Sequence, residues 1–206
     1  MPELFSESGA TLKIIAEIGG NHGGDLALAK RMVDAAAETG AWAAKFQTYK
    51  TEELVAPQSE YFEAFAGEAL SFAEFEELAA HCRQKGIVFL STPFGEESVD
   101  LLERLDVPAY KIASGDLTHL PFLRYVAAKQ RPILLSTGAS EWVDIAQAVD
   151  VLHGAGNEFV LLHCTASYPA ADGEANLRVL PELARRYARP VGFSDHCPDI
   201  DMNIAA

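Results

Sequence analysis

Seven short apolar runs recur along this chain of 206 residues, each followed by a stretch of helical periodicity. The runs begin at Leu12 (LKIIAEI), Ala43 (AAKFQT), Ile87 (IVFLST), Ala109 (AYKIAS), Pro132 (PILLST), Phe159 (FVLLHC) and Pro190 (PVGFSD). Within each run the apolar residues are contiguous and do not alternate. A strand half-exposed to water alternates with period two, so contiguity implies strands covered on both faces, as in a parallel sheet.

The intervening stretches carry helix punctuation. Residues 25–39 open on Asp25, an N-cap type, and stop before Gly40. Residues 71–85 open on Ser71 with Glu74 three positions on, a capping box, and stop at Gly86. Further helices are expected over 96–105, 121–129, 141–152 and 175–187. Residues 61–70 form an extra segment between the second and third runs, read as a short helix or a lid. Hairpin signals are missing, so the chain reads as repeated βα units. Right-handed crossovers then permit a doubly wound sheet or a barrel. Seven units with no GxGxxG after the first strand favour the barrel. The fold class expected is α/β, a (β/α)8 TIM barrel with seven of its eight strands present. An unclosed barrel would leave two strand edges unpaired, so the natural protein is expected to continue past Ala206.

Composition narrows the partners. The net charge of −14 disfavours nucleic acid and anionic membrane surfaces. No run of 18 apolar residues is present, and MPELFSESGA lacks the basic and apolar regions of a signal peptide. Three widely spaced cysteines, Cys82, Cys164 and Cys197, argue against a disulfide framework and for a reducing cytoplasm. Cys164 and Cys197 read as inert thiols.

Polar residues collect at the ends of the expected strands, where barrel enzymes place their active sites. These are Glu17, with Asn21 and His22 beyond it; Lys45 and Gln47; Ser91 and Thr92; Lys111, Ser114 and Asp116; Ser136 and Thr137; His163, Cys164, Thr165 and Tyr168; and Ser194, Asp195 and His196. Lys45 and Lys111 lie inside apolar runs, and a buried lysine is costly unless it meets an anion. With the neighbouring hydroxyls they would suit a phosphate and a carboxylate. Two other readings stay open: a core carboxylate, Glu17 for Lys45, or a Schiff-base lysine. His196 is a candidate divalent-metal ligand, its tautomer fixed by a carboxylate, with Asp195 or Cys197 as the neighbouring ligands in sequence. His163 reads as packing. His22, in the flexible GGNHGG loop, reads as a nonspecific polar residue, and His81, His119 and His153 as surface residues.

At this point the motifs resemble those of a known family. IIAEIGGNHGGDLALAKRMVDAAAETGAWAAKFQTYK, FLSTPF, YKIASGDLTHLPFLRYVA, PILLSTGAS, LLHCTASYP and VGFSDH occur in the order and spacing of the N-acetylneuraminate (sialic acid) synthases, from about Leu12 to Ala206. The resemblance implies condensation of phosphoenolpyruvate with N-acetylmannosamine or a related amino-sugar aldehyde, giving a nonulosonic acid and phosphate. It implies a divalent metal, Mn²⁺ with Mg²⁺ or Co²⁺ as alternatives, and a homodimer. It places Lys45, Thr92, Lys111, Ser114, Ser136 and Ser194 on phosphoenolpyruvate, and Gln47, Asp116 and Tyr168 on the sugar. Glu17 becomes the acid/base and His196 one metal ligand. Family members add a second histidine ligand on the eighth strand and a C-terminal antifreeze-like domain; residues 1–206 end before both, so this stretch alone is expected to be inactive or nearly so. Ala166 and Asp116 depart from the family's usual polar residue and Glu, which bears on the identity of the sugar. A Schiff-base lyase and a non-catalytic sugar-phosphate-binding barrel are the alternatives.

Overall fold

The computed structural model describes residues 12–206, so the signal-peptide reading of MPELFSESGA lies outside the described residues. By compactness the chain divides at Tyr110 and Lys111.

The first unit contains β1 (Ile15–Gly19), α1 (Leu26–Glu38), β2 (Ala43–Thr48), α2 (Thr51–Leu54), α3 (Phe62–Glu68), α4 (Phe72–Lys85), β3 (Val88–Pro93) and α5 (Glu96–Arg104). Its sheet has the order β1-β2-β3, all parallel. The expected caps form. Asp25 accepts from the amides of Ala27 and Leu28 at 2.8 and 3.0 Å. Ser71 and Glu74 make the reciprocal capping box, and Gly86 closes α4 at φ 71°. Contiguous apolarity is justified in β2, where all residues but Gln47 are buried. Phe46 is fully buried, stacks on Phe89 at 5.6 Å and meets Phe75 edge-on. These rings join the sheet to α4 by apolar burial and ring geometry together.

The second unit continues with β4 (Tyr110–Ile112), α6 (Leu120–Ala127), β5 (Ile133–Ser136), α7 (Trp142–Gly154), β6 (Phe159–Cys164), α8 (Val179–Tyr187), β7 (Val191–Ser194) and α9 (Asp201–Ala205). The strand order is β4-β5-β6-β7, and the β5–β6 and β6–β7 pairs are parallel. Every residue of β5 and β6 is buried.

Three expectations are adjusted. β1 and β7 are apolar but only partly buried, unlike the other strands. The helix expected over 175–187 starts at Val179, after a 3-10 turn at Asp172–Glu174, because Asn176 takes φ 44° and breaks the helical path. β4 is short, and Ser114 and Asp116 lie on the 3-10 turn that follows it.

The 61–70 segment is the helix α3, and its C-terminal end covers the glycine-rich turn after β1. A Cβ on Gly24, at φ 76°, would fall 2.4 Å from the Gly67 carbonyl oxygen. The close approach and the left-handed backbone both require glycine there. Gly24→Ala is expected to destabilise the protein by roughly 2 kcal/mol. Denaturant unfolding with hydrogen exchange would check this, with protection lost first in α3; unchanged stability would contradict the packing described.

Candidate functional site

In the first unit, the charged part of the site is built where β1, β2 and β3 run side by side. Glu17 and Lys45 are register partners, and Lys45 is next to Leu90 on the other side. Lys45 is 7% exposed and its ammonium is paired with the Glu17 carboxylate. It also donates to Thr92 Oγ1 at 3.2 Å. The carboxylate partner foreseen for Lys45 is therefore present. Glu17 itself keeps half its side chain exposed, so the pair is open to solvent and to a ligand on the carboxylate side. A register irregularity separates Glu17 from Gly19, which takes φ 54°. A Cβ on Gly19 would lie 3.4 Å from Glu17 Oε1 and 4.0 Å from the Gln47 amide. Glu17, Lys45, Thr92 and Gln47 thus form one neighbourhood. Behind it, the hydroxyls of Thr48 and Ser91 hydrogen-bond each other at 2.7 Å and are buried.

His22 departs from expectation. It is 3% exposed, not a loose polar residue. Its Nδ1 accepts from the Gly24 amide at 3.1 Å, and its ring is tilted against Phe46.

In the second unit, Lys111 is 5% exposed. It donates to Ser136 Oγ at 2.7 Å and to the Ile112 carbonyl at 2.8 Å. Ser114 Oγ accepts from the Gly138 amide at 3.0 Å. Gly138 fits because a Cβ there would crowd Ser114 Oγ at 2.9 Å and the Cys164 carbonyl at 3.1 Å. The hydroxyls of β4–β5 are thereby fixed by the backbone and by a lysine before any ligand arrives. Asp116 sits on the adjoining turn. Its Oδ2 is buried with no hydrogen-bond partner, and burial raises its pKa above the ordinary 3.8 against the lowering influence of His119 and Lys111.

His196 follows β7. Its Nδ1 lies 2.7 Å from the Thr165 carbonyl, so that nitrogen carries the proton and Nε2 keeps its lone pair. This corrects the expected fixing group, which is a backbone carbonyl and not a carboxylate. Asp195 instead accepts from the Cys197 amide at 2.9 Å and from the Asn203 side chain. Cys164 Sγ is 3.9 Å from Nε2, and the Tyr168 ring lies 3.9 Å from the imidazole, centroid to centroid. Tyr168 is 81% exposed, so one of its faces is open to solvent. Ser194 is the register partner of Cys164. His163 is buried packing, stacked on Phe193 and bonded to the Ala175 carbonyl at 2.7 Å. The thiols of Cys82 and Cys197 are pushed up to about 12 and about 11, chiefly by desolvation, as inert thiols would be.

The donor set at His196 suits one ligand position for a divalent metal: a neutral imidazole with a fixed tautomer. Among the described residues no group of three His, Cys, Asp or Glu side chains is placed to hold an ion. The Thr165 carbonyl, the Gly138 amide and the buried Nδ1 of His22 were not legible as functional groups. Two are backbone atoms, and the third depends on how α3 covers its turn.

A chain of parallel βα units carrying these groups is an α/β protein of the sialic acid synthetase type. It overlays the crystal structure of N-acetylneuraminic acid (sialic acid) synthetase from Leptospira borgpetersenii with a TM-score of 0.93 and 36% identity, over 95% of this chain and 69% of that one. The NeuB family model matches residues 32–206, and the chain belongs to that family. It is 38% identical to the N,N'-diacetyllegionaminic acid synthase of Campylobacter jejuni, over 94% of this chain and 63% of the relative. It is 34% identical to the human N-acetylneuraminate-9-phosphate synthase, over 94% of this chain and 58% of the relative. The chain therefore spans less than two thirds of the length of these two relatives.

Asp116 gives the site a pH signature. Between 3.8 and its raised value the folded chain keeps a proton that the unfolded chain has lost, so this group's contribution to stability falls as pH rises through that window. Asp116→Asn removes the dependence. The variant's stability relative to wild type is expected to increase from about pH 4 upward; a difference independent of pH would contradict the burial argument.

Proposed function

We propose that the protein condenses phosphoenolpyruvate with an amino-sugar aldehyde, N-acetylmannosamine or a close relative, to give a nonulosonic acid and inorganic phosphate. The observation that carries this reading is the pair of buried lysines, each joined to a hydroxyl at a strand end: Lys45 to Thr92, and Lys111 to Ser136. Phosphoenolpyruvate carries a carboxylate and a phosphate, and lysines with hydroxyl donors are suited to both. Family membership supports giving Lys45, Thr92, Lys111, Ser114, Ser136 and Ser194 to phosphoenolpyruvate, and Gln47, Asp116 and Tyr168 to the sugar.

In the reaction the methylene carbon of phosphoenolpyruvate attacks the aldehyde, and the carbonyl oxygen takes a proton. Water adds to the cation left at C2, and the resulting tetrahedral centre expels phosphate, leaving the 2-keto acid. The lysines offset the charge on the departing phosphate. Glu17 would move the proton of the attacking water, a role that its half-exposed position beside Lys45 supports. His196 would hold a divalent metal through Nε2, Mn²⁺ with Mg²⁺ or Co²⁺ as alternatives, and the metal would supply Lewis acidity to the aldehyde. Cytoplasmic location and a homodimer belong to the same reading. Its acidic charge leaves nucleic acid and membranes outside it; among the described residues no helix is long and apolar enough to cross a membrane.

The charge of the first unit bears on the sugar. Residues 51–82 contain eight glutamates, Glu52, Glu53, Glu60, Glu63, Glu68, Glu74, Glu76 and Glu77, and no lysine or arginine. Lys50, just before them, is already paired with Glu97. Glu68 ends α3 against Gly20, where an added Cβ would meet its carboxylate at 2.7 Å. A phosphorylated sugar would bring two further negative charges to a unit this rich in carboxylates, so the acceptor proposed is the unphosphorylated sugar.

The test is phosphate release from phosphoenolpyruvate by the full-length natural protein with Mn²⁺. Activity with N-acetylmannosamine or a diacetamido relative, lost with EDTA, is expected, and so is at least about tenfold lower kcat/KM for the 6-phosphate. Lys111→Ala is expected to lower kcat/KM by about 100-fold or more. Silence with every amino-sugar aldehyde would overturn the reading. An imine trapped by borohydride on Lys45 or Lys111 would replace it with a Schiff-base lyase.

A further inference from the structure

The buried His22 has no part in the chemistry above, yet it joins the turn that follows the candidate acid/base to β2. Nδ1 accepts from the Gly24 amide at 3.1 Å. Because Nδ1 accepts, it carries no proton, and the neutral ring's proton is on Nε2. Gly19 is the last residue of β1, just past the irregularity that separates it from Glu17. Gly24 precedes Asp25, the N-cap of α1. The ring itself is seated on Phe46, the neighbour of Lys45 on β2.

We propose that His22 is a positioning residue: its unprotonated Nδ1 clips the turn closed, and the clip holds Glu17 at Lys45. The inference rests on the role given to Glu17 above. Protonation of Nδ1 would replace an acceptor with a donor facing the Gly24 amide, and the clip would open. The charged groups around the ring are Asp25 at the start of α1, Glu68 at the end of α3 and Glu74 in the first turn of α4. All three favour protonation, but burial outweighs them and keeps the ring below its ordinary value of 6.5. The clip therefore survives through neutral pH and fails only as pH falls below 6.5.

The test uses the full-length protein with Mn²⁺, phosphoenolpyruvate and the accepted sugar. His22→Leu keeps apolar bulk and loses the acceptor. It is expected to lower kcat by about 10- to 100-fold with the KM for phosphoenolpyruvate little changed, since Lys45 and Thr92 are untouched. His22→Asn places an amide oxygen where Nδ1 was and does not titrate. It is expected to recover most of the lost rate and to move the acid limb of the pH–rate profile to lower pH. In ¹⁵N-histidine NMR of the wild type at pH 7, the His22 ring is expected as the neutral Nε2–H tautomer. An active wild type whose His22→Leu variant keeps both rate and pH profile overturns this inference alone, as does a ring protonated on Nδ1 at pH 7. A wild type inactive with every acceptor overturns the role of Glu17 and this inference with it.

Discussion

A lysine ammonium inside an apolar parallel strand is largely withdrawn from water and must be neutralised or solvated chiefly by what the neighbouring strands supply. β2 and β4 each accept that constraint, at Lys45 and Lys111. The first is met by a carboxylate from β1 and a hydroxyl from β3, the second by a β5 hydroxyl and a backbone carbonyl. The strand register serves it: Glu17 lies directly across the β1–β2 ladder from Lys45, and Thr92 lies two positions on from Lys45's register partner on β3. Such pairings cost stability compared with apolar residues of equal volume, and proteins commonly bear that cost where charge has to be handled.

The same logic extends outward to the turns. The turn after β1 is rich in glycine because α3 is laid across it, and it is kept in shape by the one imidazole buried beneath. The turn after β5 needs Gly138 because Ser114 and Cys164 crowd it. After β6, the Thr165 carbonyl sets the tautomer of His196 from β7's end, and the Ala170 amide donates to the His196 carbonyl at 2.9 Å. Ser114 and His196 are thus each aimed by a backbone group that would not itself meet the ligand, which is how preorganisation is built from backbone and short side chains.

Much of this was legible from residue pattern alone. Contiguous apolar runs located all seven strands to within a few residues because double-sided burial leaves no alternation to misread. Ser71, Glu74 and Gly86 fixed α4 because caps act locally. Lys45 and Lys111 stood out because charge is rare in such strands. What escaped depended on tertiary placement or on backbone atoms. Asn176 breaks a helix through a left-handed φ that its neighbours do not announce. His22 looked solvent-exposed because its turn is full of glycine, and only the covering helix makes it a core residue. The carbonyl that orients His196 has no side-chain signature, so an unspecified carboxylate was expected in its place.

Calorimetric titration of phosphoenolpyruvate into the full-length protein, its Lys45→Met variant and its Lys111→Met variant addresses the two lysines with no dependence on which sugar is used. If they are the anion-holding groups, each substitution weakens binding by about tenfold or more while the fold, freed of a buried charge, stays as stable as before. Unchanged affinity in both variants would mean that Lys45 and Lys111 are internal ion-pair and hydrogen-bond partners only, and the phosphoenolpyruvate assignment would fall with them.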